Sequence, residues 1–556
     1  MNKRRISTAI VGLTSLALIA TACSGGGSGE GSSSSAGGSS VLTIGMPNGP
    51  QTDNSNPFAN TSSAMSLGYA FAIYEPLAQV NTVRPSEDPT PWLASEWEWN
   101  ADYTQLTLTA RDGVKWSDGE DFTAEDIAYS FQIRKDNEGL NTFALPFGDI
   151  TVDGNKVTVS FTSGQFVKQG QILQLFVVPE HVWKDVEDPT TWTNEEPVGT
   201  GPYTLKSWTA QAATLTARDD YWGGELGVKE LRYSSYNDNN ALTNALVSGE
   251  AQWGWTFIPD YEKVYIDANP EVNNQWAPTG LGIDTLFLNT ETAPFDDVAV
   301  RKAVQLVLDR EQISELASSG VFPPLTNVAG LPEPAGTDFI TAPFQGKDYT
   351  VDEAGAKQVL ADAGYTLDGT TLKDPEGNAV TFTLTNPTGW SDYLTELQMI
   401  ADAVKPLGIT ATVEGQNADA WFTAIAEGNF QASMHWTDGG ATPWDTYSNQ
   451  MDGAQYLPLG ERAIWNFGRF KNDEATAALA TYANATDEAA RTAALETVQQ
   501  VFVDEVPAIA LLGRPAAAQY STKNFVGWPS DEDPYANPQP TTANASLILT
   551  KLKPAS

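Results

Sequence analysis

The chain has little of the chemistry on which disulfide scaffolds, metal sites and histidine catalysis depend. Its 556 residues include one cysteine, Cys23, and two histidines, His181 and His435. One cysteine cannot form an intrachain disulfide, and neither histidine has a ligand-type neighbour at metal spacing, so we expect no metal and no cofactor. The sequence also lacks a Gly-x-Ser-x-Gly elbow and a His-Glu-x-x-His motif. These absences argue against an enzyme.

Positive charge is scarce as well. The chain has 31 lysines and arginines against 70 aspartates and glutamates, giving a formal net charge of −39. Such a surface repels nucleic acid and anionic lipid headgroups, so we expect no nucleic-acid partner. Paired carboxylates would suit a secreted glycosidase, which stays open as a rival function. With 70 acids such pairs are unavoidable, so their closeness in sequence decides little.

Long apolar runs are absent except near the first residue. Basic residues 3–5 precede an apolar run over residues 6–22, which is shorter than the roughly 20 residues of a membrane helix. This order is typical of a secretory signal. Ala20-Thr21-Ala22 before Cys23 resembles a bacterial lipobox, with alanine where leucine is usual at the first position. We expect residues 1–22 to be a signal peptide and Cys23 to be the lipidation site.

Residues 23–40 then read as a lipidated Gly/Ser tether. Such a composition forms a flexible coil whose r.m.s. reach is roughly 20–25 Å for this length. We expect an extracytoplasmic protein, anchored to the outer face of the cell membrane through the lipid on Cys23. A passive structural lipoprotein is a second rival function.

The chain does contain a dense block of aromatic, turn and capping residues between Trp97 and Phe131. Residues 106–109 alternate as a half-buried strand, Asp-Gly turns follow, and Thr123 with Asp126 predicts a capping box. The block resembles the signature of the family 5 extracellular solute-binding proteins, the dipeptide-, oligopeptide-, nickel- and oligosaccharide-binding components of ABC importers. The residues that match this signature are Trp97, Asp102, Arg111, Gly113, Val114, Trp116, Asp118, Gly119, Phe122, Thr123, Ala124 and Asp126.

The resemblance continues through 198–203, 218–224, 294–304 and 506–510. It implies an α/β, three-lobed, periplasmic-binding-protein-like fold in which two lobes close about a hinge. The implied domain I is discontinuous, domain II is inserted in it, and domain III faces domain I across a cleft, with the hinge near Asn289 and Val501. The implied boundaries are 41–75, 197–288 and 503–556 for domain I, 76–196 for domain II and 289–502 for domain III. The implied partner is an ABC permease, and we expect a monomer.

The ligand should lie between domains I and III. Peptide-binding members of the family hold the amino terminus with an aspartate in a loop that residues 434–445 resemble, and Asp438 matches it. The Gly-x-Thr-Pro-aromatic part of that loop, with segments 388–392 and 465–470, looks more like the oligosaccharide-binding branch. A short oligosaccharide is therefore the expected ligand, and a peptide is the alternative, with Arg469 as a bidentate partner for its carboxylate.

Sugar rings stack an apolar face on indoles, and their hydroxyls need planar polar partners. Trp253 and Trp255 would share a face if residues 251–255 form a strand. For each of these tryptophans, packing in the core is the competing interpretation. The candidate ligand contacts are Asn54, Asn56, Trp253, Trp255, Trp390, Trp436, Asp438, Trp444, Asn466 and Arg469.

Overall fold

The computed structural model describes residues 41–59 and 62–555, without the side chains of residues 418 and 419. The predicted signal peptide, Cys23 and the predicted tether lie outside these residues. Within the described part of the chain, no helix has the length and apolar character needed to cross a membrane.

Short strands and helices alternate along the chain. The strands are β1 (Val41–Met46), β2 (Ala78–Gln79), β3 (Thr90–Pro91), β4 (Ala94–Trp99), β5 (Gln105–Ala110), β6 (Phe147–Asp153), β7 (Lys156–Phe161), β8 (Tyr203–Thr209), β9 (Ala212–Ala217), β10 (Glu230–Ser235), β11 (Trp253–Gly254), β12 (Asn273–Trp276), β13 (Thr279–Leu288), β14 (Thr366–Asp368), β15 (Thr371–Lys373), β16 (Thr381–Pro387), β17 (Thr410–Gln416), β18 (Ala432–Trp436), β19 (Ala508–Pro515), β20 (Ala518–Ser521), β21 (Phe525–Val526) and β22 (Lys553–Pro554).

The helices are α1 (Ser63–Leu67), α2 (Ala70–Ile73), α3 (Ala124–Asp136), α4 (Gln169–Leu173), α5 (Glu180–Trp183), α6 (Asn239–Ser248), α7 (Val298–Leu306), α8 (Arg310–Ser318), α9 (Glu353–Asp362), α10 (Ser391–Ala403), α11 (Ala418–Glu427), α12 (Trp444–Met451), α13 (Asp473–Asn484), α14 (Glu488–Glu505) and α15 (Asn544–Lys551). The predicted α/β class is confirmed.

A seven-stranded mixed sheet is built from segments far apart in sequence, in the order β12-β20-β11-β1-β10-β9-β8. Strand β1 lies between β10 and β11 and runs parallel to both. Because the carboxyl ends of parallel strands meet at one edge, the residues after β1 and after β11 emerge side by side. All seven strands fall in the three segments expected for domain I.

A four-stranded antiparallel sheet, β4-β5-β7-β6, lies within residues 94–161. Its alternating inner face packs in one core cluster with α3. The capping box predicted at the start of α3 is present, since the backbone N–H of Thr123 donates to Asp126 at 2.9 Å. This sheet falls in the segment expected for domain II.

A five-stranded mixed sheet has the order β17-β16-β18-β13-β19. Strands β13 and β19 lie in segments expected for domain I, yet they pair with each other, and β13 also pairs with β18. Both strands are largely buried, and their apolar residues need this sheet as a partner. We therefore propose that the chain crosses between lobes near residues 277–278 and 516–517, rather than near 289 and 501.

Candidate ligand-binding site

A pocket of about 300 Å³ is lined by residues that follow strands of the seven-stranded sheet and by residues at the strand ends of the five-stranded sheet. Trp255 follows β11 and enters from the first sheet. Parallel strands β16 and β18 bring Trp390 and Trp436 to one edge of the second sheet, with ring centroids 6.1 Å apart. We call this space the indole pocket. Its other lining side chains include Asn48, Asn239, Phe257, Phe322, Asp392, Tyr393 and Arg514.

Arg514 is held firmly at one side of this pocket. Its Nη1 donates to Oδ1 of the fully buried Asp284 at 2.9 Å and to the hydroxyl of Tyr393 at 3.1 Å. The Tyr393 hydroxyl also donates to the same Asp284 oxygen at 2.8 Å. The guanidinium carbon lies 4.8 Å from the ring centroid of Trp436, a cation–π contact. These contacts fix the position of the positive charge and the orientation of the guanidinium plane.

Two further acids lie near this arginine. Glu396, on α10, is fully buried, and neither of its carboxyl oxygens has a hydrogen-bond partner among the described residues. Burial raises the pKa of Glu396 well above its ordinary value, and the charges of Asp284 and Asp392 raise it further. Burial therefore favours the protonated form of Glu396. Burial also raises the pKa of Asp392, which lines the pocket.

A larger cavity of about 580 Å³ lies nearby. Asp438 and Gly439 line it, two and three residues beyond Trp436 of the indole pocket. Most of its polar lining is uncharged, from Thr82, Thr142, Gln171, Gln174, Asn537, Gln539, Thr541, Thr542 and Asn544. We call it the amide cavity. Asp438 is accessible from the cavity but has protein on most sides, and desolvation, with the charge of Asp445, raises its pKa to about 6.

Beside the amide cavity, the segment around α4 is fastened to α12. Lys168 Nζ lies 3.3 Å from Asp445 Oδ1, and Gln171 donates to the other oxygen at 3.2 Å. The Lys168 ammonium also lies 4.9 Å from the ring centroid of Trp444. Val167 is buried in a core cluster whose other members come from residues 283–510. We call this contact, Val167, Lys168 and Gln171 against Trp444 and Asp445, the clasp.

The predicted ligand residues therefore divide. Trp255, Trp390 and Trp436 come together in the indole pocket, Asp438 lies in the amide cavity, and Trp444 belongs to the clasp. The polar pocket residues that sequence reasoning did not select include Asn48, Asn239, Asp392, Tyr393 and Arg514. One signal could have found Arg514, because it is the charged residue of the otherwise apolar strand β19.

Trp253 is a correction to the predicted set. Its side chain is 0% exposed, its Nε1 donates to the carbonyl of Pro538 at 2.8 Å, and its ring packs edge-on against Trp528. Strand β11 ends at Gly254, so the period-two alternation that would put Trp255 on the same face as Trp253 does not reach Trp255. Trp253 is a core residue.

Both predicted asparagines near residue 55 hold a turn. Asn56 is buried and donates to the carbonyls of Pro189 and Trp192. The side chain of Asn54 accepts from the Asn56 backbone N–H at 3.0 Å. The side-chain oxygen of Asn54 and both side-chain polar atoms of Asn56 are thus used within the fold, and neither residue lines the indole pocket or the amide cavity.

Asn466 and Arg469 are also interior. Both are 0% exposed. Asn466 donates to the carbonyls of Asp452 and Phe470, and Arg469 donates to those of Phe467, Ala426 and Glu461. Together these bonds fix a loop whose residues 466 and 469 have positive φ angles of 50° and 57°. We withdraw both as ligand contacts.

Comparison with known proteins decides the family. The model of the bacterial extracellular solute-binding proteins, family 5, matches residues 88–456, more than half of the chain. The chain belongs to this family. The resemblance drawn from residues 97–131 is therefore confirmed, and the family is one of solute-binding proteins rather than enzymes.

Two curated relatives illustrate the breadth of family 5. Protein XP55 of Streptomyces lividans is 27% identical over 318 residues, covering 56% of each chain. The periplasmic oligopeptide-binding protein OppA of Salmonella typhimurium is 26% identical over 386 residues, covering 62% of this chain and 66% of that protein. The chain thus spans between about half and two thirds of the length of these relatives.

Solved structures show the same fold over nearly the whole chain. A periplasmic oligopeptide-binding protein of Thermotoga maritima superposes with a TM-score of 0.81 at 23% identity, covering 93% of this chain and 99% of that one. A second structure of that protein, described as bound to mannohexaose, gives a TM-score of 0.77 at 22% identity, covering 93% and 98%. The multi-lobed periplasmic-binding-protein fold predicted from sequence is confirmed.

Proposed function

We propose that this protein is the substrate-binding lipoprotein of an ABC importer and that it captures a short oligosaccharide in the indole pocket. The observation that carries the proposal is that Trp255, Trp390 and Trp436 line one pocket between the two large sheets. Indoles offer broad apolar faces on which the C–H face of a sugar ring packs. Closure of the lobes would remove the bound rings from water.

The polar lining fits the same class of ligand. Asn48 and Asn239 carry amides, and Asp392 and Arg514 carry planar charged groups. Such groups donate to or accept from neighbouring hydroxyls, which fixes the orientation of a ring stacked on an indole. The Thermotoga structure described with mannohexaose is consistent with a sugar ligand on this fold.

Calorimetry tests the proposal. We expect the purified full-length protein in detergent to bind members of a neutral oligosaccharide panel and to show altered tryptophan fluorescence on binding. Trp255→Ala should weaken binding on the order of 30-fold, the scale of a hot-spot aromatic residue. Trp97→Ala, on β4, is the matched control and should leave affinity unchanged. Binding of peptides with no binding of sugars would overturn the proposed ligand class.

A peptide is the second candidate, and Asp438 favours it. Its carboxylate is accessible from the amide cavity, and the OppA relative is named as an oligopeptide-binding protein. An oligopeptide would place its ammonium group at Asp438. Asp438→Asn should then abolish binding of a tripeptide, whereas it should change oligosaccharide binding in the indole pocket little.

The anchor is a separate part of the proposal. We propose that lipidated Cys23 holds the protein at the outer face of the cell membrane, within reach of its permease. Cys23→Ala should release the protein from the membrane fraction, which immunoblotting of fractionated cells measures. Unchanged membrane retention would refute the anchor without affecting the ligand proposal.

A further inference from the structure

Arg514 has capacity for a partner that the protein does not supply. All the hydrogen bonds of its guanidinium within the described residues are made by Nη1, to Asp284 and Tyr393. Nε and Nη2 therefore retain their donors. The side chain is 38% exposed and lines the indole pocket. A guanidinium with one nitrogen anchored and the others open presents a fixed fork to whatever enters.

The position of this fork is set by rigid neighbours. Asp284 lies in β13 and is fully buried, Tyr393 lies in the first turn of α10, and Trp436 supports one face of the guanidinium. A preorganised donor loses little conformational entropy on binding. Among the described residues that line the pocket, Arg514 is the only cation.

The negative charges of the neighbouring acids determine how strongly an anion bound at Arg514 is repelled. Asp284 compensates the charge of Arg514 through one oxygen. Glu396 is fully buried and has no hydrogen-bond partner among the described residues, and this burial disfavours its negative charge. Asp392 remains the acid that competes with a ligand for Arg514, and burial already disfavours its ionisation.

We propose that Arg514 is the specificity-determining residue of the indole pocket and that it selects ligands bearing a carboxylate, which its Nε and Nη2 donors bind while the adjoining ring or apolar group stacks on the indoles. The proposal rests on the indole pocket as the ligand site assigned above. It deepens the oligosaccharide proposal by naming an acidic sugar. The same carboxylate chemistry is available from the carboxy terminus of a peptide, and the two sources are separated experimentally.

The ligand-side experiment uses the unmodified full-length protein in detergent. Trigalacturonate is compared with its methyl ester, and trialanine with trialanine amide, by calorimetry. A charged carboxylate bound by the preorganised guanidinium should improve affinity on the order of 30-fold over the neutral derivative of the same probe. A preference within the sugar pair supports both proposals. A preference within the peptide pair alone supports Arg514 and overturns the oligosaccharide ligand.

The protein-side experiment changes only the fork. Arg514→Gln should abolish the preference for the acid over its ester, and Arg514→Lys should retain part of it, because an ammonium gives charge without the bidentate geometry. Arg462→Gln removes the same charge from an exposed loop position outside both cavities and is the matched control. Circular dichroism melting shows whether Arg514→Gln still folds with Asp284 unpaired. If it does not fold, Arg514→Lys and the ligand pairs carry the test.

Equal or tighter binding of the ester and the amide would overturn the proposal. So would failure of every carboxylate-bearing probe to bind a protein that binds neutral sugars. In that second case the proposed oligosaccharide ligand is supported, and the proposed selection of carboxylates by Arg514 is rejected.

Discussion

The indole pocket and the amide cavity differ in volume and in the side chains that line them. The smaller one, about 300 Å³, is walled by aromatic rings and holds an arginine fixed by a buried aspartate and a tyrosine. The larger one, about 580 Å³, is lined by side-chain amides and hydroxyls, by apolar side chains that include four phenylalanines, and by Arg134 and Asp438, with no indole among its described lining residues. Rigid aromatic rings and a fixed charge discriminate among ligands, because they lose little entropy on binding. Flexible amides provide room and generic hydrogen bonds.

The two cavities are nevertheless adjacent along the chain. Trp436 closes β18 and lines the first, and Asp438 lines the second. A ligand in the indole pocket would therefore contact Trp436, at the start of a loop. The same loop borders the amide cavity at Asp438 and reaches the clasp at Trp444. We therefore propose that the indole pocket recognises the ligand, whereas the amide cavity provides space and the clasp joins two parts of the chain.

The largest expected effect is the difference in lost ligand affinity between a variant in the indole pocket and a variant in the amide cavity. Trp436→Ala removes a stacking wall and the aromatic support of Arg514, so we expect affinity for the ligand to fall roughly 100-fold, the scale of an interface hot spot. Gln174→Ala, in the amide cavity, should lower affinity about 5-fold or less, since one neutral hydrogen bond to a ligand is worth about 1 kcal/mol. Calorimetry measures both. Equal losses would remove the distinction between the two cavities.

The clasp gives the next effect, on stability rather than affinity. Lys168→Met leaves Asp445 buried with Gln171 as its remaining donor, and we expect the free energy of unfolding to fall by about 2 kcal/mol, below the cost of breaking a fully buried pair. Lys115→Met breaks the ion pair of Lys115 and Asp121, whose side chains are 49% and 77% exposed. This variant should change stability much less than Lys168→Met, because exposed ion pairs contribute little. Urea unfolding checks both variants. A loss no larger than the control's would show that the clasp is a surface contact.

Much of the scaffold could be predicted because its signals are local. The capping box at Thr123 and Asp126 depends on two residues three apart, and Gly249 ends α6 with a left-handed conformation, as its place after an apolar helix indicates. Trp390 and Trp436 could be proposed because segments 388–392 and 434–445 resemble the oligosaccharide-binding branch, and Trp255 because of its place in the segment 251–255. Such features depend on the neighbouring sequence, so one chain is enough to find them.

The predictions of ligand residues were wrong where contacts with distant parts of the chain determine the position of the side chain. Trp253 and Trp255 lie two residues apart, but the partner strands β1 and β20 end the pairing at Gly254. Asn466 and Arg469 resemble exposed ligand groups, but their side chains satisfy backbone carbonyls of a left-handed loop. Arg514 reaches the pocket because β19 pairs with β13, more than 200 residues earlier in the chain. No local pattern carries that pairing.

The smallest effect concerns the charge of the amide cavity. The pKa of Asp438 is raised from 3.8 to about 6 in the folded protein, first by desolvation and then by Asp445. Between these two values the folded state keeps a proton that the unfolded state has lost. The free energy of unfolding therefore falls as pH rises through this window, and the loss is complete above the folded pKa. Asp438→Asn removes this fall.

We expect Asp438→Asn to match the original protein in stability at pH 3 and to exceed it modestly at pH 7, since solvent in the cavity screens part of the effect. Urea unfolding across this pH range measures the difference. Asp219→Asn, at an exposed position outside both cavities, is the control variant. A pH-independent result for Asp438→Asn would mean that water solvates the amide cavity as fully as the surface. The two cavities would then differ in solvation as well as in their lining residues, because the indole pocket adjoins the fully buried Asp284, whose charge Arg514 compensates.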